Sequence, residues 1–521
     1  MAQLQGEAAG YYNNPPQSGY QPQPAQGMKS GYAPPTYGQD FHMPQDNKQS
    51  FEQTFKVQKP KLNDLWAGIL LILVFLGFVA VSGLTIHSYS THHSFSGGGI
   101  YSGANDFSLN TNTLILFVFV LILAFFVSLA YFMAARAFTK QFIWITGILN
   151  CGLALATAIY YLYRKQWGAG IVFLIFAVFA ILCFISWIPR IPFSVVMLQT
   201  CMDVAKRHRG VFITSLLGGI VSIAFAAWFS VTLVAIYVAY EPGNAGSSAN
   251  PACSRSGSCS TAKVIGLVVF ITFAGYWITE WIKNTIHTTV AGVYGSWYFC
   301  AGKPGGMPSG STRGAFKRAT TYSFGSIAFG SLIVAIINML RQACSIAQQQ
   351  SAQDGNIIGS IMFCCLGCII GLLDWAVTLF NRYAFSHIAL YGKPYIPAAK
   401  DTWKMMKDRG IDVLINDCLT GPVLTMGSLF VAYLCALLSY LYLEFTKPAY
   451  NDGRTFTPVI MAFAFLIGLQ VCHIFLTPIA SGIDTLFVAM SWDPEVLVKE
   501  HPDLYANLVR VYPHIQNAIH A

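Results

Sequence analysis

Charged side chains are scarce in this sequence. Asp, Glu, Lys and Arg make up 10% of its 521 residues, against about 25% in an ordinary globular protein. Hydrophobic residues account for 55%. This composition excludes a set of soluble domains and predicts a membrane protein with many spans. The net charge of +9 does not indicate nucleic-acid binding, because the basic residues lie in short loops between apolar runs, as the topology rule for cytoplasmic loops describes.

Catalytic and cofactor motifs are missing as well. No HExxH, GxSxG or Walker sequence occurs, which disfavours the metalloprotease, hydrolase and ATP-driven pump classes that those motifs serve. Cys364, Cys365 and Cys368 stand in a lipid-length apolar run with no fourth ligand nearby, so no metal site is predicted. Polar residues look scattered along the apolar runs, which disfavours a membrane-embedded enzyme. We therefore predict neither an enzyme nor a cofactor.

Aliphatic residues are nearly absent from the first 60 positions, which are rich in Gln, Pro and Tyr. Such a segment cannot bury enough apolar surface to fold, so 1–60 is predicted to be a disordered cytosolic tail. It has no charged region followed by an apolar core, and so no cleavable signal peptide. Residues 61–490 are predicted to form a transmembrane transport domain, and 491–521 a cytosolic C-terminal segment.

Ten apolar runs of spanning length are present. A helix needs about 20 residues to cross a bilayer core of about 30 Å, and no run alternates with a period of two, as barrel strands do. The fold class is therefore all-α and polytopic. The predicted spans lie near 65–86, 113–134, 141–162, 168–188, 211–238, 263–283, 322–342, 357–379, 418–442 and 458–480.

Basic residues indicate the orientation. If the N-terminal tail is cytosolic, most of the 31 Lys and Arg residues fall in segments on the cytosolic side, as the positive-inside rule requires. Both termini are then cytosolic. The loop with Cys253 and Cys259 lies outside, where an oxidising compartment would permit a disulfide between them.

Roughly residues 65–495 resemble the choline transporter-like family, most specifically in the last 180 residues of that range. The tail and the short first outside loop resemble the fungal pH-nine-sensitive branch of the family. The motifs are TTYSFGSIAFGSLIVAIINMLR (320–341), NRYAFSHIALYGKPYIPAAKDTWKMM (381–406), VLINDCLTGPVLTMGSLFVAYLC (413–435) and DTLFVAMSWDPE (484–495). The resemblance implies transport of a small solute, choline or ethanolamine, through the plasma membrane. The expected partners are that solute and the lipid bilayer. A membrane scaffold acting through its tyrosine-rich tail and basic inner loops is the alternative.

Ionisable residues inside apolar runs are costly and therefore indicate sites. Glu280 lies beside Tyr276 and Trp277, and aromatic faces with one carboxylate suit a quaternary ammonium. Its alternative role is a pair with Lys283 or His287 on the same helix face.

Asp374 and Trp375 repeat the combination of an acid with an aromatic residue. The alternative for Asp374, two turns before Arg382, is an ion pair within its own helix or with a neighbouring one. Further on, Asn381, Arg382, Tyr391 and Gly392 are predicted to shape an inner gate.

Two features concern the shape of helices. The four-residue spacing of Gly355, Gly359, Gly367 and Gly371 predicts a close-packed helix face. The sixth run stays apolar to residue 300, and 263–300 as one helix would measure about 57 Å. It must therefore project into the cytosol or break near Gly292–Gly295.

Overall fold

The structure is a computed structural model that describes residues 61–92, 111–163, 165, 167–240, 260–302, 306–408, 420–447, 451 and 457–513. Within these ranges every regular element longer than three residues is an α-helix. The N-terminal tail (1–60) and the predicted disulfide between Cys253 and Cys259 lie outside the described residues.

The ten predicted spans are confirmed, since each coincides with a helix that is long and apolar enough to cross a bilayer. These helices are α1 (Leu65–His92), α2 (Thr111–Ala137), α3 (Thr139–Tyr163), α4 (Trp167–Trp187), α6 (Gly210–Tyr240), α7 (Thr261–Cys300), α9 (Phe324–Gln353), α10 (Ile357–Tyr391), α12 (Thr420–Thr446) and α13 (Thr457–Trp492). The shorter helices are α5 (Ile191–Arg207), which continues α4 after a 3₁₀ turn, α8 (Ser311–Thr320), α11 (Tyr395–Asp408), α14 (Pro494–Glu500) and α15 (Pro502–Val511).

Helix α7 is the centre of the bundle. Its first half packs on α1, α6 and α9 through residues such as Ile271 and Trp277. Its second half, with Tyr294 and Tyr298, enters a different apolar cluster formed with α5, α13 and α14. Helices α2 and α12 pack on α13, and α4 packs on α3 at the periphery.

Of the two alternatives for the sixth run, the break near Gly292–Gly295 is wrong, because α7 runs unbroken for 40 residues, about 60 Å at 1.5 Å per residue. Gly292 serves packing instead. A Cβ at this position would lie 2.8 Å from the Cβ of Ala315 in α8. The glycine therefore allows a short helix to lie directly against α7, and α7 extends beyond the length that a bilayer needs.

The predicted close-packed glycine face on α10 is also wrong. Gly355 lies in the turn before the helix with φ +71°, and Cβ atoms at Gly367 and Gly371 would meet no atom within 4 Å. The surrounding side chains Ile358 and Ile369 are exposed. In a bilayer the side of α10 that carries Gly367 and Gly371 faces lipid, while another side of the helix packs on α9.

Helix α13 contains Pro478 and continues to Trp492, well beyond the predicted end at 480. Proline has no backbone N–H, so the carbonyl four residues earlier loses its helical partner. That carbonyl belongs to Ile474, and the Ser215 hydroxyl of α6 donates to it at 2.5 Å. A neighbouring helix thus satisfies the freed group, as the low-dielectric interior of a membrane requires.

The start of α1 is tied to two other helices. The Asn63 side chain donates to the Gly392 carbonyl at 2.8 Å. Asp64 Oδ2 accepts from the Ser326 hydroxyl at 2.6 Å and from the Tyr395 backbone N–H at 2.8 Å. Residues 61–64 thereby join the first turn of α9 to the turn between α10 and α11.

This junction generates a stability prediction. A Cβ at Gly325 would lie 2.3 Å from the Asp64 carbonyl oxygen, so we expect Gly325→Ala to push the backbone apart and destabilise the protein by about 1–3 kcal/mol. Gly367→Ala, which meets open space, is the matched control. Thermal unfolding of the purified protein in detergent measures both variants, and equal midpoints would contradict the close approach.

Candidate functional site

The second half of α7 carries buried polar side chains at the level where α9, α10 and α13 meet it. Asn284 donates to the Ser331 hydroxyl of α9 at 2.9 Å. Asn381 of α10 donates to the Gly330 carbonyl at 3.2 Å and accepts from the Tyr395 hydroxyl at 2.5 Å. These bonds satisfy amide groups that would otherwise be costly inside a membrane protein.

His287 connects α7 to both other central helices. Its Nε2 lies 2.9 Å from the Arg382 carbonyl oxygen on α10, and its Nδ1 lies 2.8 Å from Ser481 Oγ on α13. A carbonyl oxygen can only accept, so Nε2 carries a hydrogen. In the neutral ring Nδ1 is then an acceptor, and Ser481 donates to it.

Arg382 and Asp484 form a loose ion pair beside this histidine. Arg382 Nη1 lies 3.9 Å from Asp484 Oδ2, and the side chains are 41% and 7% exposed. Neither Arg382 Nε nor Asp484 Oδ2 makes a hydrogen bond within the described residues. A buried carboxylate is therefore balanced by a cation that approaches it without bonding to it.

We call His287, Arg382, Ser386, Ser481 and Asp484 the central polar cluster. Ser386 belongs to it because its hydroxyl donates to the Arg382 carbonyl at 3.0 Å and lies 3.3 Å from His287 Nε2. The expectation that polar residues are scattered is wrong, because three membrane helices bring these five together.

A second polar group closes one end of the bundle. The Tyr391 hydroxyl donates to Asp493 Oδ2 at 2.9 Å, and the Tyr298 hydroxyl donates to the Asp493 carbonyl at 3.0 Å. The Lys393 ammonium lies 5.6 Å from the ring centroids of both Tyr391 and Trp492. We call these residues, together with Asp401, the end layer; Asp401 accepts from Lys393 at 2.8 Å.

Glu280, Tyr276 and Trp277, predicted to form one aromatic–carboxylate group, have separate environments in the structure. Glu280 pairs with Lys283 at 3.1 Å, which matches the alternative role considered for it. Trp277 is fully buried and its Nε1 donates to the Ala328 carbonyl at 2.9 Å. Tyr276 is half-buried.

Asp374 lies 3.4 Å from Arg341 of α9, which matches the neighbouring ion pair considered as its alternative role. Trp375 is 66% exposed on the outer surface. The residues predicted for an inner gate lie closer to the polar groups just described. Arg382 belongs to the central polar cluster and Tyr391 to the end layer, while Gly392 ends α10 with φ +64°, a conformation suited to glycine.

Sequence reasoning missed Asp484 and Ser481, and it gave His287 only a local role. The tenth span was expected to end at 480, which placed Asp484 outside the membrane. The apolar residues Leu486–Met490 that follow it were the signal that the helix continues. Among the described residues no three His, Cys, Asp or Glu side chains lie close enough to hold a metal ion.

Ten apolar helices that enclose a buried polar cluster define a helical membrane protein of the transporter class. The family described as "Plasma-membrane choline transporter" matches residues 171–495, a range that contains the whole central polar cluster. Related proteins match over nearly the full chain.

Protein pns1 of Aspergillus fumigatus is 64% identical over 486 residues, which cover 93% of this chain and 89% of that protein. Protein PNS1 of Gibberella zeae is 58% identical over 519 residues, 98% and 94% of the two chains. Protein PNS1 of Saccharomyces cerevisiae is 41% identical over 515 residues, 96% and 95% of the two chains. The chain belongs to the choline transporter-like family, as a Pns-type protein.

The end layer gives a second stability prediction. Tyr391→Phe removes a hydrogen bond to a buried carboxylate, so we expect a loss of about 1.5–3 kcal/mol in the free energy of unfolding. The half-buried Tyr276 provides the control Tyr276→Phe, for which we expect a smaller change. A midpoint shift that is no larger for Tyr391→Phe than for the control would contradict the bond to Asp493.

His501, between α14 and α15, predicts a pH dependence. Its Nε2 lies 2.8 Å from the Tyr298 carbonyl oxygen. Burial lowers the pKa of His501 below its ordinary value of 6.5, although the bond to that carbonyl and the charge of Glu500 oppose the shift. The unfolded chain therefore binds this proton more readily than the folded protein. His501 contributes stability that is complete above about pH 6.5 and is lost as the pH falls through the lowered pKa.

We expect the unfolding midpoint of the native protein to fall on acidification from about pH 8 to about pH 5. His501→Gln should reduce this fall without abolishing it, because burial and Arg207 also lower the pKa of His208. His87→Gln, at an exposed position, is the control. An identical fall in His501→Gln and native protein would contradict the assignment.

Proposed function

We propose that this protein moves a small organic cation, with choline and ethanolamine as the first candidates, through the plasma membrane without ATP hydrolysis. Its family is described as a plasma-membrane choline transporter, and the sequence contains no Walker loop. Both termini are proposed to be cytosolic, from the distribution of basic residues.

The observation that carries the proposal is the state of Asp484. Its side chain is 7% exposed and Arg382 Nη1 lies 3.9 Å from its Oδ2, while that Oδ2 has no hydrogen bond within the described residues. Burying a carboxylate is costly unless a cation compensates it. A cationic solute that reaches α13 would supply the missing contact. Asp484 is therefore the proposed counter-charge of the solute.

The end layer supports an ammonium as the chemical class. The Lys393 ammonium already lies beside two aromatic rings, those of Tyr391 and Trp492, and bonds to Asp401. Aromatic faces attract ammonium groups through the ring quadrupole. These side chains would offer a passing organic cation the same contacts, and Lys393 would compete with it. The end layer is the proposed inner gate.

Arg382 links the two polar groups in the proposed mechanism. It lies on α10, nine residues before Tyr391, and its side chain is partly exposed. A cation that bonds to Asp484 would displace Arg382, and α10 would carry that change to the inner gate. Solute binding and gate opening would then alternate. The driving force would be the solute gradient or a coupled ion.

Uptake of labelled choline and ethanolamine into cells that lack other uptake systems tests the proposal. We expect the native protein to raise uptake, and Asp484→Asn to lower it about 10- to 100-fold, because an interaction of about 1.5–3 kcal/mol with a charged group is lost. Asp484→Glu should retain part of the activity. Surface abundance of each variant is measured in parallel.

Two further variants separate the candidate acids. Glu280→Gln and Asp374→Asn test the acids predicted from sequence. If both variants show the uptake of the native protein, Asp484 remains as the candidate counter-charge of the solute. Full uptake by Asp484→Asn at normal abundance would reject the mechanism. A chain that lacks residues 1–55 should keep its uptake if the protein is a transporter. A cellular phenotype lost without any change in uptake would favour the scaffold alternative.

A further inference from the structure

Two short helices, α8 and α11, lie at the end of the bundle where α1 and α9 begin. The Tyr395 N–H of α11 bonds to Asp64, one residue before α1. Asn63 N–H bonds to the Tyr322 carbonyl, which lies between α8 and α9. The apolar part of α1 covers 23 residues, about 35 Å at 1.5 Å per residue, which is enough for one bilayer crossing. Both short helices are therefore anchored at the level of the membrane surface.

The buried faces of α8 and α11 share one apolar cluster with α9 and α10. Its fully or nearly fully buried members are Ala319, Ile327, Ala384, Phe385, Ile388, Tyr395 and Ala398. Because these residues are buried in the cluster, the opposite faces of α8 and α11 are the exposed ones. The two exposed faces accordingly belong to one packed unit at the membrane surface.

Those exposed faces combine basic and large apolar side chains. On α8, Arg313 and Lys317 are exposed together with Phe316, which is 50% exposed. On α11 the exposed residues are Ile396, Lys400, Trp403, Lys404 and Lys407, and Trp403 is 61% exposed. Ile396, Lys400, Trp403 and Lys407 follow helical spacing along a single stripe.

Acidic side chains are missing from these faces within the described side chains. Helix α8 contains none, and Asp401 of α11 is buried and bonded to Lys393. The other short helices at the surface differ. Helices α14 and α15 mix Glu495, Lys499, Asp503 and Arg510. Among the described side chains, the exposed faces of α8 and α11 are thus basic, with no exposed acidic residue of the same helix on them.

We propose that the exposed faces of α8 and α11 bind the headgroups of anionic phospholipids in the adjacent leaflet. Phe316 and Trp403 lie at the headgroup level, where aromatic side chains are favoured. The lysines and Arg313 pair with phosphate and carboxylate groups of the lipid, as basic amphipathic helices do. Trp66, 53% exposed at the start of α1, extends the aromatic border through Phe329, whose ring centroid lies 5.0 Å away.

The geometry favours a lipid over an acidic protein. The basic face adjoins the first turns of the spanning helices α1 and α9. Lipid headgroups around these two helices are therefore already next to the basic face. Its aromatic residues are spaced between the lysines rather than gathered in a pocket, and this arrangement suits insertion into an interface. The site is independent of the solute that the protein transports.

Lipid competition on the purified full-length protein tests the inference. Native mass spectrometry in detergent measures the binding of phosphatidylserine and phosphatidylcholine of equal chain length. We expect the native protein to prefer phosphatidylserine. Replacing Lys400, Lys404 and Lys407 with Gln should lower that affinity about tenfold or more, because each basic residue near an anionic surface contributes about a fivefold factor. The same three positions changed to Arg should keep the preference.

A matched control removes three exposed basic residues away from α8 and α11, through Lys140→Gln, Lys206→Gln and Arg510→Gln. We expect it to leave the preference for phosphatidylserine unchanged. Should the α11 variant fail to fold, Arg313→Gln with Lys317→Gln tests α8 in the same assay. Added salt should weaken binding, since exposed charges are screened.

Three results would overturn the inference. The native protein could bind both lipids equally, the variants of α8 and α11 could keep the full preference, or the control could lose as much as they do. The last result would indicate attraction by overall charge. An acidic peptide that binds the same face while phosphatidylserine does not would assign the surface to a protein partner.

Discussion

The contact of α7 with α10 and α13, made through His287, is the interaction on which the interior of the bundle depends. One imidazole bonds to a backbone carbonyl on α10 and to a hydroxyl on α13, so three helices share a single buried group. Groups of this kind specify an arrangement only when every bond is made, because an unpaired polar atom inside the protein is costly. Ser481 and Ser386 complete the set, and both serines are buried together with the imidazole.

The electrostatics of this interior differ from those of its surface. Glu280 with Lys283 and Glu495 with Lys499 are pairs on one helix face, and such pairs contribute little to stability in water. Arg382 and Asp484 join different helices and approach only to 3.9 Å. A buried carboxylate with a loosely held, partly exposed arginine can accept another cation more readily than one that is bonded directly to its partner. The proposed transport depends on this difference.

The ten spans were predictable because each apolar run exceeds the length of a bilayer crossing, and composition alone demands burial in lipid. The site was not. Ser481 and Asp484 interrupt the apolar pattern, so the tenth run is predicted to end at 480. Burial of these polar residues against α7 explains why α13 continues through them to Leu486–Met490. His287 has Glu280 and Lys283 as sequence neighbours, whereas its actual partners are 95 and 194 positions away. Glycine spacing on α10 could not indicate whether a helix or lipid faces it.

The unbroken length of α7 limits how the molecule can move. One half of the rod belongs to the cluster with α1, α6 and α9, and the other half to the cluster with α5, α13 and α14. A continuous helix without an internal proline bends little. A displacement of one end of α7 therefore moves the other end as well, because the helix behaves as one rigid body. Neighbouring helices must then move relative to α7. Under the proposed transport, access to the two sides of the membrane would then change by rearrangement of α10 and α13 against α7. Pro478 marks the point in α13 where a bond to Ser215 of α6 replaces a helical hydrogen bond.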